Sequence, residues 1–314
     1  MLYADVNSLK FTSEHDGLEV HGIIAVPTAQ VSGIVQIVHD IWSNKEQYLP
    51  LMEYLAEQGF LTVIHDARGH GQSIREPNDL GFMYKEGDVG FVRDIHQLHG
   101  IVRAANPSLP YFMIGQGIGA LGVLAFAKQY DSMLCGAILI GLPCYSRFSR
   151  FSLNVDRELA KKSGAAYRSE KSQAMLKKVL MKPFSKEKTE NAWLCSDKNV
   201  VAEFNADPGR NFVFTLGGFS SLLYLSGEVY SRRGWRLENP SLPLRLLSGR
   251  DDMFMLSEKK FAKAINHIEK VGYESITWRF FDGMRHDILH EPERDTVYKD
   301  IAKSLFSWID RLER

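Results

Sequence analysis

Short apolar runs alternate with amphipathic helical stretches along most of this chain, the pattern of a mostly parallel sheet covered on both faces. Leu9, Lys10, Phe11 and Thr12 alternate apolar and polar like an edge strand, and residues 18–26 read as its antiparallel partner. Buried strands follow at 34–38, 61–64, 111–114, 136–140, 244–248 and 276–280, with helices over 45–58, 89–105, 118–130 and 257–271. In a last helix Val297, Ile301, Leu305, Trp308 and Ile309 form one apolar stripe for packing on the sheet. Between residues 145 and 239 the alternation stops and Lys, Arg, Ser and aromatic residues dominate. The simplest account is an α/β core formed by 1–144 and 240–314, interrupted once by a partly helical insertion over 145–239.

Composition narrows the class of function. With 314 residues, 45% of them hydrophobic and 24% charged, the chain has the profile of an ordinary globular protein. Lys plus Arg and Asp plus Glu both total 38, so there is no basic excess of the kind nucleic-acid binding requires. Three scattered cysteines (Cys135, Cys144, Cys195) make neither a metal cluster nor a disulfide framework, and the histidines lack ligand spacing, so neither metal nor cofactor is expected. The first twelve residues hold no apolar run of signal-peptide length, and no stretch is long enough to span a bilayer. A soluble, cytoplasmic protein is the expectation.

The most informative segment is Ile114-Gly115-Gln116-Gly117-Ile118-Gly119-Ala120, set between a strand and a helix. That is the context of a nucleophile elbow, G-x-S-x-G, whose flanking positions must be small because a Cβ there would strike the neighbouring strand or helix. Gly115 and Gly119 satisfy this demand, but the nucleophile position holds Gly117. Read alone, the segment is equally a Gly-rich turn that could cradle a phosphate. It lacks the Lys and Ser/Thr of a P-loop and comes too late for a first-strand dinucleotide fingerprint. Two further segments decide the matter. Ser248-Gly249-Arg250-Asp251-Asp252 and Gly283-Met284-Arg285-His286-Asp287 each follow a strand, giving the chain order elbow, acid, base. His39-Asp40-Ile41-Trp42 ends an early strand, where an oxyanion loop belongs.

With these residues in view the chain resembles the monoacylglycerol lipase and bacterial lysophospholipase branch of the α/β-hydrolases. His65-Asp66-Ala67-Arg68-Gly69-His70-Gly71-Gln72-Ser73 is similar to that branch's D-x-R-G-H-G-x-S turn, and Arg285-His286-Asp287-Ile288-Leu289-His290-Glu291 to its segment around the base. Trp193 to Asp197 and Phe212 to Phe219 look like its lid. The resemblance implies a mostly parallel eight-stranded sheet with helices on both faces and a helical lid. It also implies a lipid or small-molecule ester as partner, with peripheral membrane contact possible in principle. It makes His286 the general base and Asp252, in preference to Asp251, the acid that orients it. The oxyanion donors become the backbone N–H groups of Ile41 and Ile118.

Two residues depart from that pattern. Gly117 has no hydroxyl and cannot carry an acyl group, and Asp40 replaces the branch's glycine at the oxyanion loop. Three accounts stay open: deliberate replacement of a serine, a natural non-catalytic relative that binds a lipid, ester or protein, or weak hydrolysis by water lodged in the void at Gly117. Two departures in one site favour natural divergence. On this reading Gly117→Ser alone is expected to give or raise esterase activity. Phe148, Phe151, Phe212, Phe214, Phe219, Leu222, Leu223 and Tyr224 are expected either to shape an acyl-chain pocket or simply to pack the lid. Arg147, Arg150, Lys161 and Lys162 are candidates to meet an anionic head group, and Cys144 is a remote alternative nucleophile.

Overall fold

The structure, a computed structural model, describes residues 4–145 and 159–312. β1 (Ala4–Thr12) and β2 (Glu19–Pro27) form an antiparallel ribbon. β3 (Gly33–Val38), β4 (Phe60–His65), β5 (Tyr111–Gln116), β6 (Gly136–Ile140), β7 (Leu244–Gly249) and β8 (Ile276–Phe281) run parallel. The eight strands lie in the order β1-β2-β4-β3-β5-β6-β7-β8, with β2 antiparallel to β4. β3, β4, β5 and β6 are buried along their whole length, as continuous apolar runs covered on both faces should be.

Helices between the strands supply that cover. α1 (Leu49–Glu57) and α8 (Arg294–Leu312) bury Leu51, Leu55, Val297, Ile301, Leu305 and Trp308 on one face. α2 (Gly87–Ala105) and α3 (Ile118–Tyr130) bury Phe91, Ile95, Leu98, Leu121 and Leu124 on the other. α7 (Glu258–Val271) buries Phe261, Ala264, Ile265 and Ile268, which share one face. The largest difference from the sequence expectation is the first helix, which opens as a 3₁₀ turn over Lys45–Tyr48 and becomes α-helical only at Leu49. Pro50, placed in the first α turn, supplies the reason, since a missing N–H costs nothing there.

Between β6 and β7 the described part of the insertion contains α4 (Glu170–Leu180), α5 (Lys198–Ala206) and α6 (Leu216–Val229). Their N-caps Ser169, Asp197 and Thr215 each accept a backbone N–H. Phe212 and Phe214 are buried, 5.1 Å apart by ring centroids, and Phe214 packs 5.9 Å from Trp42. Trp42 Nε1 also donates to Phe212 O at 3.0 Å, which pins this segment over the ends of the parallel strands. For Phe212 and Phe214 packing onto the core is thus the observed role, whereas Tyr224 is exposed. Arg147, Phe148, Arg150 and Phe151 lie outside the described residues.

Candidate active site

Three loops from the carboxyl ends of β5, β7 and β8 meet at one point, where a sheet of this kind places its ligands. The elbow turns at Gly117, whose φ of 55° and ψ of −117° lie where a side chain is strained. Its N–H donates to Ile140 O at 2.9 Å, tying the turn to β6. A Cβ at Gly115 or Gly119 would run into the backbone of Gly119 or Val38 respectively, so small residues are required there, as the motif demands. After β7, Asp252 caps a short 3₁₀ turn by accepting from Phe254 N at 2.8 Å, which leaves its carboxylate facing the loop after β8. Asp251 beside it is exposed. His286 is completely buried against Phe254 and Trp193, at centroid distances of 4.4 and 5.8 Å.

The structure brings together Gly117, Asp252 and His286, and adds a fourth group. His286 Nδ1 lies 2.9 Å from Asp252 Oδ1, and its Nε2 lies 2.8 Å from Asp40 Oδ2. Asp40 Oδ1 accepts from the backbone N–H of Ile118, the expected oxyanion donor, at 3.0 Å. Ile41, the second expected donor, is buried beside it. The space at the nucleophile position is therefore filled by the Asp40 carboxylate. A Cβ built on Gly117 would sit at little more than covalent distance from Asp40 Oδ1 and 2.8 Å from Oδ2. This corrects the expectation of a void at Gly117 holding a catalytic water, because the Asp40 carboxylate fills that space. For Gly117→Ser alone, the new side chain and the Asp40 carboxylate as it stands would compete for one space.

Electrostatics fix the protonation of the centre. Burial opposes charge on His286, but the facing carboxylates of Asp252 and Asp40 overcome it and hold the imidazole pKa well above its usual value. Only an imidazolium can donate from both ring nitrogens at once, so the two hydrogen bonds and the charge state agree. The group is a buried carboxylate–imidazolium–carboxylate chain. As a resting state it lacks a free base. Cys144, the alternative nucleophile, is buried and its thiol is pushed up to about 12, chiefly by burial, so it holds no thiolate at neutral pH.

A second layer of polar groups steadies Asp40. Its backbone N–H donates to Tyr48 Oη at 3.0 Å, Tyr48 Oη donates to Gln116 Oε1 at 2.8 Å, and Gln116 Nε2 donates to Asp287 Oδ1 at 3.0 Å. His290 Nδ1 lies 2.8 Å from Asp287 Oδ2. Asp287 is held at a pKa of about 2, because His290 and Gln116 outweigh its burial. On the other side His39 Nδ1 donates to Asp40 O at 2.8 Å and its Nε2 accepts from Ala67 N at 2.7 Å. Sequence reasoning singled out Asp40 only as a departure, and missed Gln116, Tyr48 and Asp287. The one available signal was the elbow itself, where a glutamine precedes a missing side chain.

Glu291 ties the insertion to the base. It accepts from Arg285 N at 2.8 Å, from Ser196 N at 3.0 Å, and from the Ser196 hydroxyl. Among the described residues no cluster of His, Cys, Asp and Glu has the arrangement of a metal site. No helix among them is long and apolar enough to cross a membrane.

Known proteins share this architecture. The chain is 23% identical over 304 residues to the monoacylglycerol lipase of Mycolicibacterium smegmatis, covering 95% of this chain and 96% of that one. It is 25% identical over 285 residues to the monoglyceride lipase of Rattus norvegicus, covering 90% and 84%. Among solved structures, the thermostable carboxyl esterase from Bacillus coagulans superposes with a TM-score of 0.88 at 24% identity, over 97% of this chain and 99% of that one. The monoglyceride lipase of Saccharomyces cerevisiae superposes with a TM-score of 0.73 at 18% identity, covering 99% and 96%. The profile of the family described as serine aminopeptidase, S33, matches residues 29–293. The chain therefore belongs to the serine aminopeptidase S33 family, as a member of the monoacylglycerol-lipase-like branch of the α/β-hydrolases.

Proposed function

We propose that this protein keeps the scaffold of a monoacylglycerol-lipase-like ester hydrolase but is silent in serine-dependent ester hydrolysis. One observation carries the reading: the Asp40 carboxylate stands where the serine side chain would stand, bonded to both Ile118 N and His286 Nε2. Three consequences follow for ester chemistry. There is no hydroxyl at 117 to form an acyl-enzyme. The elbow amide that should receive the developing oxyanion is already engaged by an anion. And His286, charged between two carboxylates, has no capacity to accept a proton.

Gly117 and Asp40 read as one exchange rather than two losses. A Cβ at 117 overlaps the Asp40 carboxylate as it stands, so Asp40 can keep its bonds to Ile118 N and His286 only with no side chain at 117. That reciprocity supports natural divergence over deliberate removal of a serine, which would leave the oxyanion loop untouched. A small ester or lipid is the class of partner that the relatives' names bring to this scaffold. The described cysteines are free, which supports a reducing, cytoplasmic setting.

The test compares wild type, Gly117→Ser and the double variant Asp40→Gly/Gly117→Ser. Each is assayed with a fluorophosphonate probe, short p-nitrophenyl esters and monoacylglycerols. Wild type is expected to be unlabelled and inactive, and the double variant to be labelled at residue 117 and to hydrolyse short esters. Wild-type hydrolysis of monoacylglycerol that vanishes in His286→Gln would overturn the reading.

A further inference from the structure

The sheet ends at β8, and where α8 meets the first halves of β7 and β8 there is a groove of about 540 Å³. Asp252 and His286 follow the carboxyl ends of these two strands, so the groove belongs to the other end of the sheet. On α8, Thr296, Lys299, Asp300, Lys303, Ser307 and Arg311 recur every three or four residues. They therefore share a face, beside the apolar stripe of Val297, Ile301 and Leu305.

The lining is biased to one sign of charge. Arg245, Arg279, Lys299, Lys303 and Arg311 line the groove with a single carboxylate, Asp300, in a chain whose formal charges balance at 38 of each. Asp300 is 7% exposed and accepts from Arg245 Nε at 2.6 Å, from Arg245 Nη2 at 2.9 Å and from Arg279 Nη1 at 2.8 Å. Burial opposes charge on Asp300, but the two arginines overcome it and hold its carboxyl below the usual range. One carboxylate thus orients two guanidiniums and neutralises one of them. The other N–H groups of Arg279 have no acceptor among the described residues, and its side chain is half-exposed. Lys299, Lys303 and Arg311 have neither a hydrogen bond nor an ion pair among the described residues. Like charges gathered around a hollow repel one another and focus a positive field inside it.

We propose that this groove binds a soluble phosphorylated sugar carrying two or more negative charges. The inference goes beyond the silent-esterase reading and is independent of what Asp40 does. Three features select the class. Phosphate oxygens match the fork of a guanidinium and the point charge of an ammonium. The volume lies within the roughly 300–1,000 Å³ of small-molecule sites, more than one inorganic phosphate fills. Ser275, Thr277 and Ser307 add hydroxyls suited to a polyhydroxy body. Apolar lining is confined to Pro243 and the buried Trp308, too little surface for an acyl chain, so a lipid is not the ligand.

The experiment titrates the full chain with fructose 1,6-bisphosphate by calorimetry at low ionic strength, with inorganic phosphate and phosphatidylglycerol vesicles as comparisons. Wild type is expected to bind the bisphosphate with a Kd below about 1 mM, more weakly as salt is added. Lys299→Gln/Lys303→Gln alters two exposed, unpaired side chains, so it should fold as wild type and bind at least about 10-fold more weakly. Lys171→Gln/Lys178→Gln, the same change on the exposed side of α4, should leave the affinity unaltered. Absence of binding to folded wild type would overturn the proposal, as would an unchanged affinity in the Lys299/Lys303 variant. Inorganic phosphate binding as tightly as the bisphosphate would show that the groove reads charge alone and would also overturn it. Capture by vesicles that is lost in the Lys299/Lys303 variant would assign the groove to a lipid surface instead.

Discussion

Introducing the missing serine by itself should damage this protein rather than activate it. The Cβ of residue 117 would fall inside the Asp40 carboxylate, well within van der Waals contact of all three of its outer atoms. Asp40 must then swing away and give up its bonds to Ile118 N and to the His286 imidazolium. Charge-assisted hydrogen bonds contribute about 1.5–3 kcal/mol each, so Gly117→Ser should cost about 3–6 kcal/mol. Against a total stability of roughly 5–15 kcal/mol this is a large fraction. At about 2–4 °C per kcal/mol the melting temperature should fall by several degrees at least.

Adding Asp40→Gly clears the space, so the double variant should recover most of that loss and gain activity as well. It still bears the strain of a side chain at φ 55°, which every nucleophile elbow of this kind bears. In subtilisin, losing the nucleophile or the base of such a triad costs on the order of 10⁶ in kcat. Even a poorly aligned new triad should therefore exceed wild type by at least about 100-fold on p-nitrophenyl acetate. Differential scanning calorimetry and the ester assay on the three proteins decide the point. If Gly117→Ser melts with wild type and equals the double variant in rate, the reasoning fails.

Other outcomes follow from the same geometry. Asp40→Ala strips one carboxylate from a buried imidazolium, and should destabilise the fold by about 3–5 kcal/mol in urea titrations at neutral pH. The folded pKa of His286 is raised, so its contribution is complete below the unfolded value of about 6.5 and is lost as pH rises through the folded one. Asp40→Ala should accordingly flatten the alkaline limb of the stability profile. The acid limb has a different origin: burial lowers His39 to about 4 and His65 and His70 to about 3, so all three are neutral in the fold. As pH falls below about 6.5 the unfolded chain binds protons that the fold refuses, so stability should fall by about 2 kcal/mol per histidine near pH 5, seen as a lower urea midpoint. Glu291→Gln weakens the ties to Ser196 and Arg285, and hydrogen exchange should speed up at residues 192–198 and 284–288 while the central strands are unchanged.

The eight strands and the three segments that carry residues 117, 252 and 286 are legible in the sequence because each rests on a local signal. Apolar runs mark β3 to β7, the small residues at 115 and 119 mark the elbow, and an acid and a histidine follow the last two strands. What was not legible is the relation between residues 40 and 117, which are far apart along the chain and meet only when β3 and β5 pair side by side. Taken separately, a glycine at 117 suggests a hole and an aspartate at 40 suggests repulsion of an oxyanion. Taken together they exclude a hole, because the carboxylate fills it. The polar layer of Tyr48, Gln116 and Asp287 was hidden for the same reason, since its members come from three separate segments.

The central claim is that Asp40 lies against His286 Nε2 in the place of a nucleophile, and nitrogen NMR of the imidazole tests it most directly. At about pH 8, where an ordinary histidine with a pKa near 6.5 is neutral, both ring nitrogens of His286 should carry protons in wild type, and Asp40→Asn should release one of them. A neutral His286 ring in the wild-type protein at that pH, unchanged by Asp40→Asn, would contradict the account.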